Sequence, residues 1–207
     1  MAFREAQPFL IAAGVAALIG FWLWYPLGIL ALVAFGYILY FFRDPERVIP
    51  SDPDAIVSPA DGRIVAVDES IERFYSKEKM KRVAVFLSVF DVHVNRSPVA
   101  GTVEHSEHHA GEFLDARHLE VDLRNESWNW LIRTDRGPVV VRQLAGLIAR
   151  RIVAWKKTGE SLAKGERFGL IRFGSRTDVY LPVGCEILVK VGDRVEGGST
   201  ILARWPR

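Results

Sequence analysis

The chain has 207 residues, 49% hydrophobic and 25% charged, and its 27 lysines and arginines nearly balance 25 acids, leaving a formal charge of +2. That balance, with no basic run interleaved with aromatics, excludes an electrostatic nucleic-acid binder, and the length holds one domain with an appendage. The lone Cys185 excludes an internal disulfide. It sits in a strand-like stretch with no basic pocket around it, so it reads as a buried structural thiol.

The front of the chain is the strongest compositional signal. Residues 9–42 carry no charge and are bounded by Arg4-Glu5 and Arg43-Asp44. A bilayer core takes about 20 apolar helical residues to cross, so one straight helix would overshoot. Pro26 and Gly28 split the run into two apolar arms, because proline breaks or kinks a helix. Two arrangements stay open: a tight hairpin that enters and leaves on one face, or one kinked, tilted span. A signal peptide is too short to match and would need a small-residue cleavage site. Both arms are apolar all round, which argues against a soluble helix pair. Trp22, Trp24 and Tyr25 at the bend suit a headgroup layer. Residues 1–43 are therefore expected to be a membrane-anchoring segment and residues 44–207 a separate domain.

Beyond the proline- and acid-rich linker 44–53, short β-branched runs alternate with Gly, Pro and Asp turns. The expected strands are 63–67, 83–90, 102–105, 128–133, 139–144, 151–155, 168–173, 178–181, 187–191 and 200–203. This spacing predicts a mainly β, antiparallel fold of sandwich or barrel type rather than βαβ units. Residues 107–126 are the least strand-like and are expected to form loop with a short helix. Two weak internal repeats appear: 158–165 echoes 191–198, and 59–65 echoes 98–103. Such half-motifs resemble those of barrel-sandwich hybrid folds, and they make the α+β expectation barrel-sandwich-like.

Three segments bear chemistry. Gly174-Ser175 lies between strand-like stretches. On its own it reads as a hairpin turn. Ser58-Pro59-Ala60-Asp61-Gly62 offers an acid, though Asp-Gly turns are common. The segment 90–98, Phe90-Asp91-Val92-His93-Val94-Asn95-Arg96-Ser97-Pro98, offers His93, an imidazole able to exchange protons near neutral pH. A serine hydroxyl is a poor nucleophile until a base accepts its proton. Glycine before it leaves the carbonyl unshielded and tolerates a strained backbone. His105, His108, His109 and His118, with Glu104, Glu107 and Glu112, make a metal site conceivable, but a solvated polar loop is the better reading, and no metal is assigned.

In that order and spacing, these segments resemble the short bacterial and archaeal form of the phosphatidylserine decarboxylase family. The likeness runs from Phe42-Arg43-Asp44-Pro45 through Ala145-Gly146-Leu147-Ile148-Ala149-Arg150-Arg151 to Asp178-Val179-Tyr180-Leu181-Pro182. The resemblance implies a proenzyme that cuts itself between Gly174 and Ser175, giving a large chain 1–174 and a small chain 175–207. Ser175 would become a covalent pyruvoyl cofactor, His93 the proton carrier, and Asp61 the acid that orients an imidazole or stabilises its charge. Family members of the long form carry a second histidine where this chain has Arg96. There the second is associated with self-cleavage and the first with decarboxylation. Arginine cannot act as a base, so either His93 does both jobs or another residue assists cleavage. Arg96 could instead hold a phosphate or carboxylate.

The reaction implied is pyruvoyl-dependent loss of carbon dioxide from phosphatidylserine to give phosphatidylethanolamine in phospholipid biosynthesis. The partners implied are a phospholipid and the cell membrane, with the catalytic domain on its cytoplasmic face and further dimerisation left open. The competing reading is a membrane-tethered barrel-sandwich carrier or adaptor without self-processing. No lysine flanked by methionines at a hairpin tip supports a biotin carrier.

Overall fold

A computed structural model describes residues 2–118, 123–147, 151–172 and 174–206, which separate into two compact units, Met1–Pro45 and Glu46–Arg207. In the first unit, helix α1 (Ala2–Leu23) is followed after Trp24 by α2 (Tyr25–Phe41). Trp24 adopts an extended conformation, φ −165°, and Pro26 falls in the first turn of α2, where a missing N–H costs nothing. The two helices fold back on each other as a hairpin. A Cβ on Gly20 would lie 2.6 Å from the backbone N of Gly28, so only glycine permits this approach. At the open end the rings of Phe9 and Phe42 stack at 5.9 Å. The outward side chains are bare and apolar, with Leu18 74%, Trp22 84% and Leu30 66% exposed. The 22 residues of α1 span about 33 Å, long enough for a hydrocarbon core.

Among its described residues the second unit has fourteen strands. They are β1 (Ala55–Val57), β2 (Gly62–Ile71), β3 (Lys79–Leu87), β4 (Val94–Arg96), β5 (Gly101–His109), β6 (Ser127–Thr134) and β7 (Gly137–Ala145). The rest are β8 (Ile152–Ala154), β9 (Ser161–Leu162), β10 (Arg167–Ile171), β11 (Ser175–Leu181), β12 (Glu186–Ile187), β13 (Arg194–Val195) and β14 (Ile201–Arg204). An eight-stranded sheet has the order β13-β2-β3-β11-β7-β6-β5-β9, and two three-stranded sheets have the orders β4-β10-β8 and β1-β14-β12. Among the described residues every pairing between these strands is antiparallel. The fold is the mainly β, α+β type that the turn spacing predicts.

The core lies on one face of the large sheet, where Val83, Val85, Leu87, Val141, Val179 and Leu181 meet Ile56, Phe168 and Leu202. Strand alternation sends Arg176, Asp178 and Tyr180 of β11 to the other face. That face is also covered: Arg142 lies over the ring of Phe74 at 4.6 Å, and the Tyr75 hydroxyl donates to the Asn129 carbonyl at 3.1 Å.

The internal repeats are a structural pair. Gly159 and Gly192 hold φ values of +91° and +96°, and Gly165 and Gly198 hold +78° and +81°. Their hydrogen bonds repeat as well. Gly165 N–H donates to Ser97 O and Gly198 N–H to Ser58 O, both at 2.8 Å. Each repeat thus closes one end of the large sheet, β9 on β5 and β13 on β2.

Several boundaries differ from expectation. β3 stops at Leu87 because the Asp91 carboxylate accepts from the Ser88 N–H (2.8 Å) and hydroxyl (2.6 Å), turning the chain. The strand expected at 187–191 ends at Ile187, since Lys190 N–H turns onto the Asp193 carboxylate. Among the described residues of 107–126 no helix forms; β5 runs on to His109, with His105 stacked on Tyr75 and His109 tilted on Phe74. Of the 168–173 expectation, Phe173 lies outside the described residues.

Candidate active site

Ser175 opens β11 at the edge of the core, opposite Leu87 of β3 and Ala145 of β7. The sheet therefore holds the residue after the Gly174-Ser175 bond on both sides. Gly174 has φ +58°, the left-handed region that glycine enters without strain. The Ser175 side chain is fully buried and its hydroxyl has no hydrogen-bond partner. Such an orphaned hydroxyl is costly to bury and is free to turn toward the neighbouring carbonyl.

His93 comes from a different sheet. It immediately precedes β4, and its carbonyl accepts from Ile171 N–H at the end of β10. Its Nδ1 lies 2.9 Å from the Asp91 carbonyl, which can only accept, so Nδ1 carries the proton. Nε2 is then the lone-pair nitrogen, and it accepts the Gly174 N–H at 3.2 Å. The fully buried imidazole is thus held as the tautomer with a basic nitrogen facing the Gly174-Ser175 segment.

On the other side of the bond stands Gly146, just past β7. A Cβ there would come within 2.3 Å of the Gly174 carbonyl oxygen. A cavity of about 220 Å³ opens beside both glycines, lined by Phe86, Ser88, Val89, Ala116, Arg117 and Leu147. At its edge Arg117 pairs with Asp115 through both carboxylate oxygens and pulls that carboxyl down to about 2.

Asp61 is held by groups other than His93. Its carboxylate is taken by Arg47 at 2.6 Å and the Gly197 N–H at 2.8 Å. Burial pushes the carboxyl upward, against the lowering pull of those two donors. The register places it at the same end of the sheet as Gly174, two strands away, or about 10 Å. Arg96 points to the opposite face of β4 from Asn95, and its guanidinium donates to the Gly165 carbonyl at 3.2 Å. The structure brings Ser175, Gly174 and His93 together; Asp61 and Arg96 meet the Gly197-Gly198 turn, Asp61 accepting the Gly197 N–H and Arg96 abutting Gly198.

Arg176, next to the serine, was not singled out by the sequence. It forms a two-point pair with Asp178 at 2.8 and 2.9 Å, both side chains fully buried. It also donates to the carbonyls of Ala116 (3.2 Å) and His118 (3.1 Å), tying the cavity wall to β11. An Arg-x-Asp pattern on a strand, with both residues on one face, was the only signal available. Residues 148–150 of the stretch after β7 lie outside the described residues. Cys185 is buried in the main core, and burial pushes its thiol up to about 11.

A family model described as phosphatidylserine decarboxylase matches residues 35–203. The chain belongs to the phosphatidylserine decarboxylase family. It is 48% identical over 208 residues to the phosphatidylserine decarboxylase proenzyme of Nitrosomonas europaea, covering 98% of this chain and 94% of that protein. The enzyme is accordingly a phosphatidylserine decarboxylase, and the carrier reading gives way.

Proposed function

We propose that the chain is a self-processing proenzyme whose Ser175 becomes a pyruvoyl group and whose product is phosphatidylethanolamine. The observation that carries this reading is the meeting at one strand end of an unpartnered buried serine hydroxyl, a left-handed glycine and a histidine lone pair 3.2 Å from the Gly174 nitrogen.

In this reading Ser175 Oγ attacks the Gly174 carbonyl carbon as His93 Nε2 takes its proton; the C–N bond of the adduct then breaks, the proton passes to the Ser175 nitrogen, and the amide becomes an ester. Loss of the Ser175 α-proton and cleavage of the Cβ–O bond release Gly174 as a carboxylate. The dehydroalanine left at position 175 hydrolyses, with loss of ammonia, to the pyruvoyl group. The buried, unpartnered hydroxyl at the head of a clamped strand fits a group formed in place. Held at the head of β11, a pyruvoyl carbonyl would supply an electrophile for the substrate amine and a sink for the electron pair left by carbon dioxide. His93 would supply the proton that replaces the carboxyl group on the substrate. The cavity beside Gly174 and Gly146 receives the headgroup, with Arg117 at its rim for the phosphate.

Asp61 contributes at one remove. Together with Arg47 it grips Glu196 and Gly197, which belong to the small chain once the bond is cut. The apolar hairpin anchors the enzyme where its lipid substrate lies. Arg4 and Arg43 flank it, and basic residues beside apolar segments favour the cytoplasmic face.

Intact mass measurement tests the reading. The purified protein is expected as a 1–174 chain and a 175–207 chain with a blocked N-terminus, whereas Ser175→Ala stays whole. Active enzyme recovered as a single intact chain sinks it.

A further inference from the structure

The nucleophile and the base sit on different sheets, Ser175 on β11 and His93 at the head of β4. Apolar packing between sheets is non-directional, so it does not by itself fix an imidazole to a fraction of an ångström. A chain of buried hydrogen bonds crosses the gap. Trp130 Nε1, which can only donate, gives its proton to Gln143 Oε1 at 2.8 Å. That fixes the amide, and Gln143 Nε2 donates to Asn95 Oδ1 at 2.6 Å. Asn95 Nδ2 then donates to the Pro59 carbonyl at 3.3 Å. All three side chains are fully buried. Gln143 stands opposite Thr177, two residues from Ser175, and Asn95 is two residues from His93. Gly169 of β10 packs against the amide: a Cβ there would sit 2.7 Å from the Val153 carbonyl oxygen and 3.2 Å from Gln143 Nε2.

We infer that Gln143 and Asn95 are a positioning pair that sets where the His93 imidazole stands over Gly174-Ser175. The inference rests on the reading of His93 as proton carrier. A buried amide pair in an otherwise apolar interior costs desolvation that a leucine pair would not. It gives direction in return, joining the sheet of the serine, the strand of the histidine and the segment of Asp61.

The test uses Gln143→Met, which keeps the volume and removes both bonds, and Asn95→Ala, which leaves Trp130 and Gln143 joined. Two quantities are read. One is the rate of whichever step His93→Ala slows, self-cleavage or decarboxylation per pyruvoyl formed. The other is the ¹⁵N signature of His93 in histidine-labelled Ser175→Ala protein. Each variant should slow that step about 100-fold, as a displacement near 1 Å does, and convert a pure Nδ1–H tautomer into a mixture. Wild-type rates in either folded variant overturn the pair, and so does a slowed step with the tautomer unchanged, which marks a merely structural role. If Gln143→Met fails to fold, Asn95→Ala decides alone. The underlying reading fails differently: His93→Ala would then both cleave and decarboxylate at wild-type rates.

Discussion

At the scale of single residues, the site depends on what glycine lacks. Gly146 is the clearest case, because its missing Cβ is the space in which the Gly174 carbonyl oxygen rests, 2.3 Å from where a methyl would be. The obstacle is backbone, so a side-chain rotation cannot relieve it. Gly146→Ala should slow self-cleavage about 100-fold, since the carbonyl must shift from the path of Ser175 Oγ. Gly184→Ala is the matched control, as its new methyl would meet only Pro206 Cγ at an ordinary 3.6 Å. Cleavage kinetics followed on gels compare the two, and equal rates would show that the carbonyl's seat at Gly146 has no bearing on processing.

Among the elements, β11 matters most. It lies between β3 and β7 along its length, so after cleavage the small chain would remain a central strand of the large sheet. β14 gives it a second hold on β1 of the large chain. The outer face of β11 rests on the Arg176–Asp178 pair, whose burial makes each charge dependent on the other. Removing one partner strands the other charge in the interior, which costs about 3–5 kcal/mol. Asp178→Ala, made on the uncleaved Ser175→Ala chain so that unfolding is of one polypeptide, should lower stability by about that amount. Urea unfolding measures it; a loss below about 1 kcal/mol would mean that Arg176 finds solvent or another acid, and the cavity wall at Ala116 is held by other contacts.

For the whole molecule, the division at Pro45 separates an apolar hairpin from a β unit with its own core. The hairpin has no histidine and no charge between residues 9 and 42, and so brings no group suited to the chemistry. A protein lacking residues 1–45 should therefore process itself and decarboxylate water-dispersed short-chain phosphatidylserine. On bilayer vesicles it should lose most of its rate, because the anchor raises the local concentration of substrate. Carbon dioxide release on the two substrates makes the comparison. Equal vesicle rates would remove the anchor from substrate access, and an unprocessed truncated chain would make the hairpin part of the fold.

The sequence by itself determined the class of fold, the two-armed apolar segment and the residues that meet at the bond. Turn glycines and alternating β-branched runs are local signals, and so is a long uncharged stretch. The motif order puts Ser175, Gly174 and His93 on one short roster. Non-local contacts were not legible in it. Asp61 reads as an orienting acid, yet it is spent on Arg47 and Gly197, and the Asp91 carbonyl holds the imidazole instead. A backbone carbonyl has no letter in a sequence, so that partner was invisible. Strands of two or three residues, β4 among them, are too short to show a period, although β4 carries the residues next to His93. The repeats were visible as similar letters; that they cap the two ends of one sheet with matching hydrogen bonds was decided by pairing across as many as 140 positions, Gly198 to Ser58. Only the tertiary structure joins Trp130, Gln143 and Asn95, because hydrogen bonds between sheets are set by packing and not by spacing along the chain.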